Sequence, residues 1–261
     1  MKEELLIIAI LPVILLGIYI YKKDRHKEPT YLLVKLFFAG IVSCFLVLAL
    51  TDILVILLPF LKNDVQTMNF IEFCIYVFIS IAFLEELCKW LMTYYIGYLD
   101  KEFDEVYDIV VYAVFVALGF AAFENILYVF GIGSIQVGIM RGLLAIPGHV
   151  CYGIAMGYYL SLARYHEKYG SPKKAKMNKI KSIVIPTIYH GIYDYCCFSA
   201  SGMILIVFVA FIIFLYSISL KKVKIAAQEA TNLGTTKNRF CPRCGRQVTG
   251  NYCPNCGLKQ E

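Results

Sequence analysis

The sequence predicts an all-α polytopic membrane protein of about seven to eight transmembrane helices that ends in a small cysteine-rich ribbon. Three observations predict this. Of the 261 residues, 59% are hydrophobic and 17% charged, and the mean hydropathy is +0.67. Soluble chains run at about 45–50% apolar and about 25% charged, so this composition suits lipid as solvent. Apolar runs long enough to cross the hydrocarbon core, which takes roughly 20 helical residues, recur through the first 220 positions. Finally, a polar tail carries four cysteines in two evenly built pairs.

The first run, 4–21, ends in Tyr21-Lys22-Lys23-Asp24-Arg25. It lacks the positive start and small-residue cleavage site of a secretory signal, so it reads as an uncleaved first helix. Further spans are predicted at 36–60, 69–97, 106–131, 135–164, 180–199 and 202–220. The second and third are long enough to tilt or to protrude. Seven crossings result; the count becomes eight if Pro147-Gly148 divides the fifth span into a half-helix and a full one.

Charge sets the orientation. One basic cluster, Lys22, Lys23, Arg25, Lys27 and Lys35, follows the first span. A second runs from Arg164 through Lys168, Lys173, Lys174, Lys176 and Lys179 to Lys181, and Lys221, Lys222 and Lys224 form the third. The other loops hold only Lys62 and Lys101. Seven crossings bring all three clusters to one side, which the positive-inside rule makes cytoplasmic, with the N-terminus outside and the C-terminus inside. Basic residues confined to short loops exclude a nucleic-acid groove. The lipid bilayer is the partner this distribution implies.

The domain layout is a membrane domain at 1–220, a polar linker at 221–238 and the ribbon at 239–261. The ribbon reads Cys241-Pro-Arg-Cys244-Gly245 and Cys253-Pro-Asn-Cys256-Gly257, with eight residues between Cys244 and Cys253. Two such knuckles suit one tetrahedral zinc with four thiolates and no open position, hence a structural metal. So short a segment has almost no core, and the metal must supply most of its folding energy. The alternative is two redox or disulfide pairs. A cytosolic partner is expected for the ribbon. Cys44, Cys74, Cys88, Cys151, Cys196 and Cys197 lie in or beside apolar runs and act as small hydrophobes.

Ionisable groups inside spans are expensive and mark function by default. Glu85, Glu86 and Lys89 fall in the third span; Glu85 and Lys89 are one turn apart and can pair, leaving one carboxylate in excess as a general base. Glu124 and Asn125 fall in the fourth, where the Asn amide can donate to a developing oxyanion. His149 follows Pro147-Gly148 in the fifth, with Arg141 two turns before it. His190 lies in the sixth, four residues before Asp194, which can fix its tautomer and stabilise its cation. Together these residues predict one polar cavity. No Gly-x-Ser-x-Gly nucleophile motif occurs, so water is the expected nucleophile, activated by a carboxylate without a catalytic metal.

At these residues the sequence resembles the PrsW family of glutamic-type intramembrane proteases, within the wider CAAX-protease and bacteriocin-processing superfamily. The matching elements are Glu85-Glu86-x-x-Lys89, Phe123-Glu124-Asn125-x-x-Tyr128, Arg141 with Pro147-Gly148-His149, and His190-Gly-x-x-Asp194, preceded by Lys27-Glu28-Pro29. The resemblance covers about residues 1–220. It implies peptide-bond cleavage in or near the membrane, on a single-pass membrane protein such as an anti-sigma factor. It also implies that Glu85 and Glu86 are the water-activating pair and that His149 and His190 complete the centre. Where the superfamily has Phe-x-x-x-His, this chain has Phe120-x-x-x-Glu124, and its last motif ends in Asp194 where Asn is common.

Three other readings stay open. A metalloprotease would use His149, His190 and a Glu as zinc ligands. A proton-coupled transporter should show internal repeats, and none is visible. A non-catalytic receptor would tolerate loss of Glu85. Two outcomes check the tail and the orientation. A peptide of residues 225–261 folds only with one zinc bound, and folding in excess chelator would refute that. A reporter fused at residue 230 stays on the cytoplasmic side, and an external signal would overturn the orientation.

Overall fold

A computed structural model of the chain describes residues 2–24, 26–199, 202–228, 239–240, 247–248 and 255. Among the described residues the apolar runs become seven helical rods, in the predicted order. The first two are α1 (Lys2–Lys23) and α2 (Thr30–Leu57). The third is composite: α3 (Phe70–Ile75), a π-helical stretch Tyr76–Phe83, α4 (Leu84–Met92) and a second π-helical stretch Thr93–Tyr98. It starts on a capping box, in which Asn69 and Glu72 satisfy each other's orphan N–H groups. Next come α5 (Asp108–Ile132) and a fifth rod made of α6 (Ile135–Met140), π-helical Arg141–Ala145 and α7 (Ile146–Lys168). The last two are α8 (Pro172–Phe198) and α9 (Gly202–Gln228). Two short strands, β1 (Arg239–Phe240) and β2 (Gln247–Val248), pair antiparallel on either side of the first knuckle. The ligand candidates Cys241, Cys244, Cys253 and Cys256 lie outside the described residues.

Five rods, α1, α2, α5, α6–α7 and α9, are long and apolar enough to cross a membrane. The other two carry the buried charges of α4 and the lysines in the first half of α8. Several ends differ from expectation. α8 begins at Pro172, because a proline at the first helical position is preorganised and its lysines are good helix formers. α9 continues past residue 220 to Gln228, because Val223 and Ala226 still bury against the bundle.

α5 is the axis of the bundle: 78% of its most apolar window is buried, against 11% for α9. Lipid tails give helices no hydrophobic reason to associate, so close packing at small residues must do it. A Cβ at Gly119 of α5 would sit 1.9 Å from the Phe37 carbonyl oxygen of α2, and one at Gly157 of α7 would sit 2.6 Å from that of Ile109. Those backbone contacts draw α2 and α7 onto α5.

Proline shapes the fifth rod without dividing it. Pro147 has no N–H, which leaves the carbonyl four residues back, Leu143, without its helical partner. The Tyr216 hydroxyl of α9 donates to that carbonyl at 3.1 Å. A break in one helix thus becomes a tie between two.

The loops that carry the basic clusters meet at one end of the bundle. His26 Nδ1 lies 2.7 Å from Glu105, Tyr98 donates to Glu167 at 2.7 Å, and Lys179 pairs with Glu167 at 2.7 Å. Glu28, just before α2, is buried there and accepts from the Tyr112 hydroxyl. Burial pushes its carboxyl up to about 7.

Candidate active site

The two π-helical stretches bracket α4, and a third immediately precedes α7. Such wide turns commonly mark functional places in helices. Between them α4 turns Glu85, Glu86 and Lys89 into the bundle, with Lys89 and Glu86 each 1% exposed. A buried ammonium is tolerable only with close partners. Lys89 Nζ lies 2.6 Å from Glu86 Oε1, 3.2 Å from His149 Nδ1 and 4.4 Å from the centre of the Phe120 ring.

The spacing suggested a Glu85–Lys89 pair; that contact is 3.8 Å and secondary to Glu86. Glu86 wins because its Oε1 hydrogen-bonds both Lys89 and His190 Nδ1, the latter at 3.0 Å, whereas Glu85 Oε2 stands 3.8 Å from Lys89 and 3.9 Å from His190 Nε2. Glu85 is thereby left free to face the cleft, and its buried Oε2 has no hydrogen-bond partner.

Asp194 approaches His190 as the i,i+4 spacing predicted, with Oδ2 3.3 Å from Nε2. His149 Nε2 lies 3.0 Å from Glu124 Oε2. Arg141 holds that carboxylate at 2.8 Å, stacks over the Tyr128 ring at 3.9 Å and donates through Nε to Asn125 at 3.0 Å. The Asn125 amide in turn donates to the Ala9 carbonyl of α1 at 3.0 Å. Asn125, expected as an oxyanion donor, uses one of its two amide N–H groups on that carbonyl and its oxygen on Arg141, and it does not line the cleft.

The residues singled out on four spans therefore meet. Glu85, Glu124, Arg141, His149, His190 and Asp194 line one cleft of about 380 Å³, with Glu86, Lys89 and Asn125 in support behind it. The two imidazoles are 5.3 Å apart. Glu124 and His190 each lie eight residues from the end of their helix opposite the basic loops, which is about 12 Å of helix. Four carboxylates, Glu85, Glu86, Glu124 and Asp194, face two fixed cations, Lys89 and Arg141. One ligand atom each from Glu85, His149 and His190 falls within 4.8 Å of the others, close enough to share a metal ion.

Sequence reading missed Tyr152. It lines the cleft, stacks on His190 with ring centres 4.8 Å apart, and is 2% exposed. Its position three residues after His149, on the same helical face, was the available signal.

A water-reactive cluster of carboxylates and imidazoles, sunk between membrane helices and open to a cleft, defines an intramembrane hydrolase. Comparison with known proteins identifies which one. Residues 28–218 match the family model described as PrsW family intramembrane metalloprotease. The chain is 34% identical over 219 residues to Protease PrsW of Oceanobacillus iheyensis, covering 84% of this chain and 94% of the relative. It is 35% identical over 220 residues to Protease PrsW of Bacillus subtilis, with 84% and 93% covered. The relative from Clostridioides difficile is 32% identical over 229 residues, with 86% and 92% covered. No solved structure matches significantly. The chain belongs to the PrsW family and is an intramembrane protease, a hydrolase of peptide bonds in an integral membrane protein.

The buried network makes a stability prediction. Lys89→Met leaves Glu86 buried without its ammonium and destabilises the fold by about 3–5 kcal/mol. The same change at Lys101, whose side chain is 85% exposed, stays within about 0.5 kcal/mol. Unfolding in detergent measures both, and a Lys89→Met protein as stable as the wild type would refute the account.

Proposed function

We propose that the protease cleaves a single-pass membrane protein within the cleft, using a water activated at Glu85, His149 and His190. The observation that carries this is the convergence of three ligand-capable atoms within 4.8 Å, in a cleft holding two more carboxylates than fixed cations. A carboxylate with two imidazoles is the donor set of hydrolytic zinc sites, and the excess negative charge suits a divalent cation. The family's description as a metalloprotease supports the same reading. A cation held by these three residues would supply Lewis acidity and a more acidic water.

The chain's own residues do the rest. Glu86 accepts from His190 Nδ1–H and keeps Nε2 turned toward the cleft. Arg141 fixes Glu124 beside His149, and Asp194 restrains His190 from the same helix. Glu124 and Asp194 are the carboxylates left to take the proton of the attacking water.

One contact favours a metal-free alternative. An ammonium can only donate, so Lys89 at His149 Nδ1 puts that ring's N–H on Nε2, directed at Glu124. An imidazole held this way donates rather than ligates. In that reading Glu85, helped by Glu86, takes the proton of the water, and the histidines position the substrate carbonyl.

An anti-sigma factor is the substrate class that the family resemblance implies. We read the basic end of the bundle as cytoplasmic. The ribbon there, folded around a structural zinc, would recruit a cytosolic partner.

Both mechanisms predict that Glu85→Gln and His190→Ala cut cleavage by about 10²–10⁴ or more while the protein stays inserted and folded. The measurement is cleavage of a single-pass substrate in reconstituted membranes beside a melting curve. Near-normal cleavage by both folded variants would sink the proposal. Metal analysis and chelation of a chain ending at residue 228 separate the mechanisms. One bound cation and zinc-reversible loss of activity favour the metal, and chelator-resistant cleavage favours the metal-free centre.

A further inference from the structure

Three tyrosines line the cleft, Tyr128, Tyr152 and Tyr193, and neither mechanism employs their hydroxyls. Tyr152 Oη is buried and has no hydrogen-bond partner. The ring itself is well used. It lies 4.8 Å from the His190 ring at an interplanar angle of 18°, and meets the His149 ring edge-on at 5.7 Å. Lys89 Nζ is 6.0 Å from its centre. Phenylalanine would make all of those contacts. The hydroxyl adds only a desolvation cost unless something accepts from it.

The backbone beneath makes room for that hydroxyl. A Cβ at Gly148 would lie 3.2 Å from Tyr152 Oη, so the oxygen occupies space that any side chain there would crowd. Gly148 thus separates the proline break from His149 and also leaves the phenol its place.

We propose that Tyr152 is a catalytic residue that donates its hydroxyl hydrogen bond to the substrate's scissile carbonyl, and more strongly to the oxyanion formed from it. Three features support this role. The donor belongs to a residue lining the cleft, its ring packs against both histidines, and Asn125, which bonds Ala9 through its amide, lies outside the cleft lining. A buried donor without a partner has no internal hydrogen bond to give up when negative charge develops on a carbonyl oxygen, and fixed donors of that kind accelerate acyl transfer. The cleft has carboxylates in excess, so a further neutral donor beside the histidines suits an oxyanion forming there. The inference rests on the cleft being the active site and is independent of whether a metal is bound there.

The experiment compares Tyr152→Phe with the wild type in reconstituted membranes, with Glu85→Gln run in parallel. Removal of one oxyanion donor costs about 10²–10³ in kcat. The expected result is a fall of that size in kcat with KM nearly unchanged, since the bond strengthens in the transition state. Tm should stay level or rise, because the variant deletes an unsatisfied buried group. Near-normal kcat in Tyr152→Phe would overturn the proposal. So would a lowered Tm with a matching loss of active protein, which would mean that the hydroxyl serves an internal partner. Full cleavage by Glu85→Gln would overturn the reading of the centre instead, and leaves the tyrosine result standing on its own.

Discussion

The buried ammonium of Lys89 is the constraint on which the rest of the bundle depends. A charge taken from water into a membrane protein costs several kcal/mol unless it is surrounded. Its surroundings come from three other elements: Phe120 on α5, His149 on α7, and His190 on α8 through the shared oxygen of Glu86. No one of these helices could satisfy it alone. The close backbone contacts at Gly119 and Gly157 are what bring α2 and α7 near enough to α5 for the polar groups to meet. Packing and electrostatics are therefore two aspects of one requirement. The glycines remove the space that lipid or water would fill, and the network neutralises the charge that the helices bring in.

Regular α-helix would not aim these side chains. Glu85, Glu86 and Lys89 occupy a short α-helical piece between wide turns, and Arg141 begins the wide turn that leads to Pro147 and His149. Each departure from the 3.6-residue repeat rotates the next stretch of helix, so residues that would drift around a straight rod stay on the cleft side. The departures also release backbone groups, which must be answered in an apolar solvent. The Leu143 carbonyl is answered by Tyr216 of α9, the rod otherwise least engaged with the bundle.

Much of this was legible in the sequence, because the hydrocarbon solvent makes the pattern strict. Apolar runs gave seven rods among the described residues, five of them long and apolar enough to cross a membrane, and each intramembrane ionisable residue singled out belongs to one connected network. Pairing was less legible. Whether Lys89 prefers Glu85 or Glu86 depends on His190, which lies far along the chain on another helix, so no spacing rule could decide it. Asn125 has the chemistry of an oxyanion donor, and the bond of one of its amide N–H groups to Ala9 needed the packing of α1 to be known. Tyr152 was hidden for the opposite reason. A tyrosine in an apolar run reads as packing, and only the lack of a partner for its hydroxyl distinguishes it.

Unsatisfied groups finally separate structure from chemistry. Among the described residues, six have a buried side-chain polar atom without a hydrogen-bond partner: Asp24, Glu85, Glu86, Asp108, Tyr152 and Arg164. Asp24, Asp108 and Arg164 belong to the basic end, where loops are close and a bridging water can satisfy them. Glu85, Glu86 and Tyr152 stand at or directly behind the cleft, deep within the helices. There no loop can fold in to serve them, and an apolar solvent cannot. Groups left in that condition raise the energy of the resting fold, and a water, an ion or a substrate entering the cleft can complete them. In the proposed mechanism that molecule is the attacking water or a cation for Glu85, and in the proposed role of Tyr152 it is the peptide carbonyl. The acidic, under-bonded interior that looks like a defect of packing is thus the part of the structure shaped for its substrate.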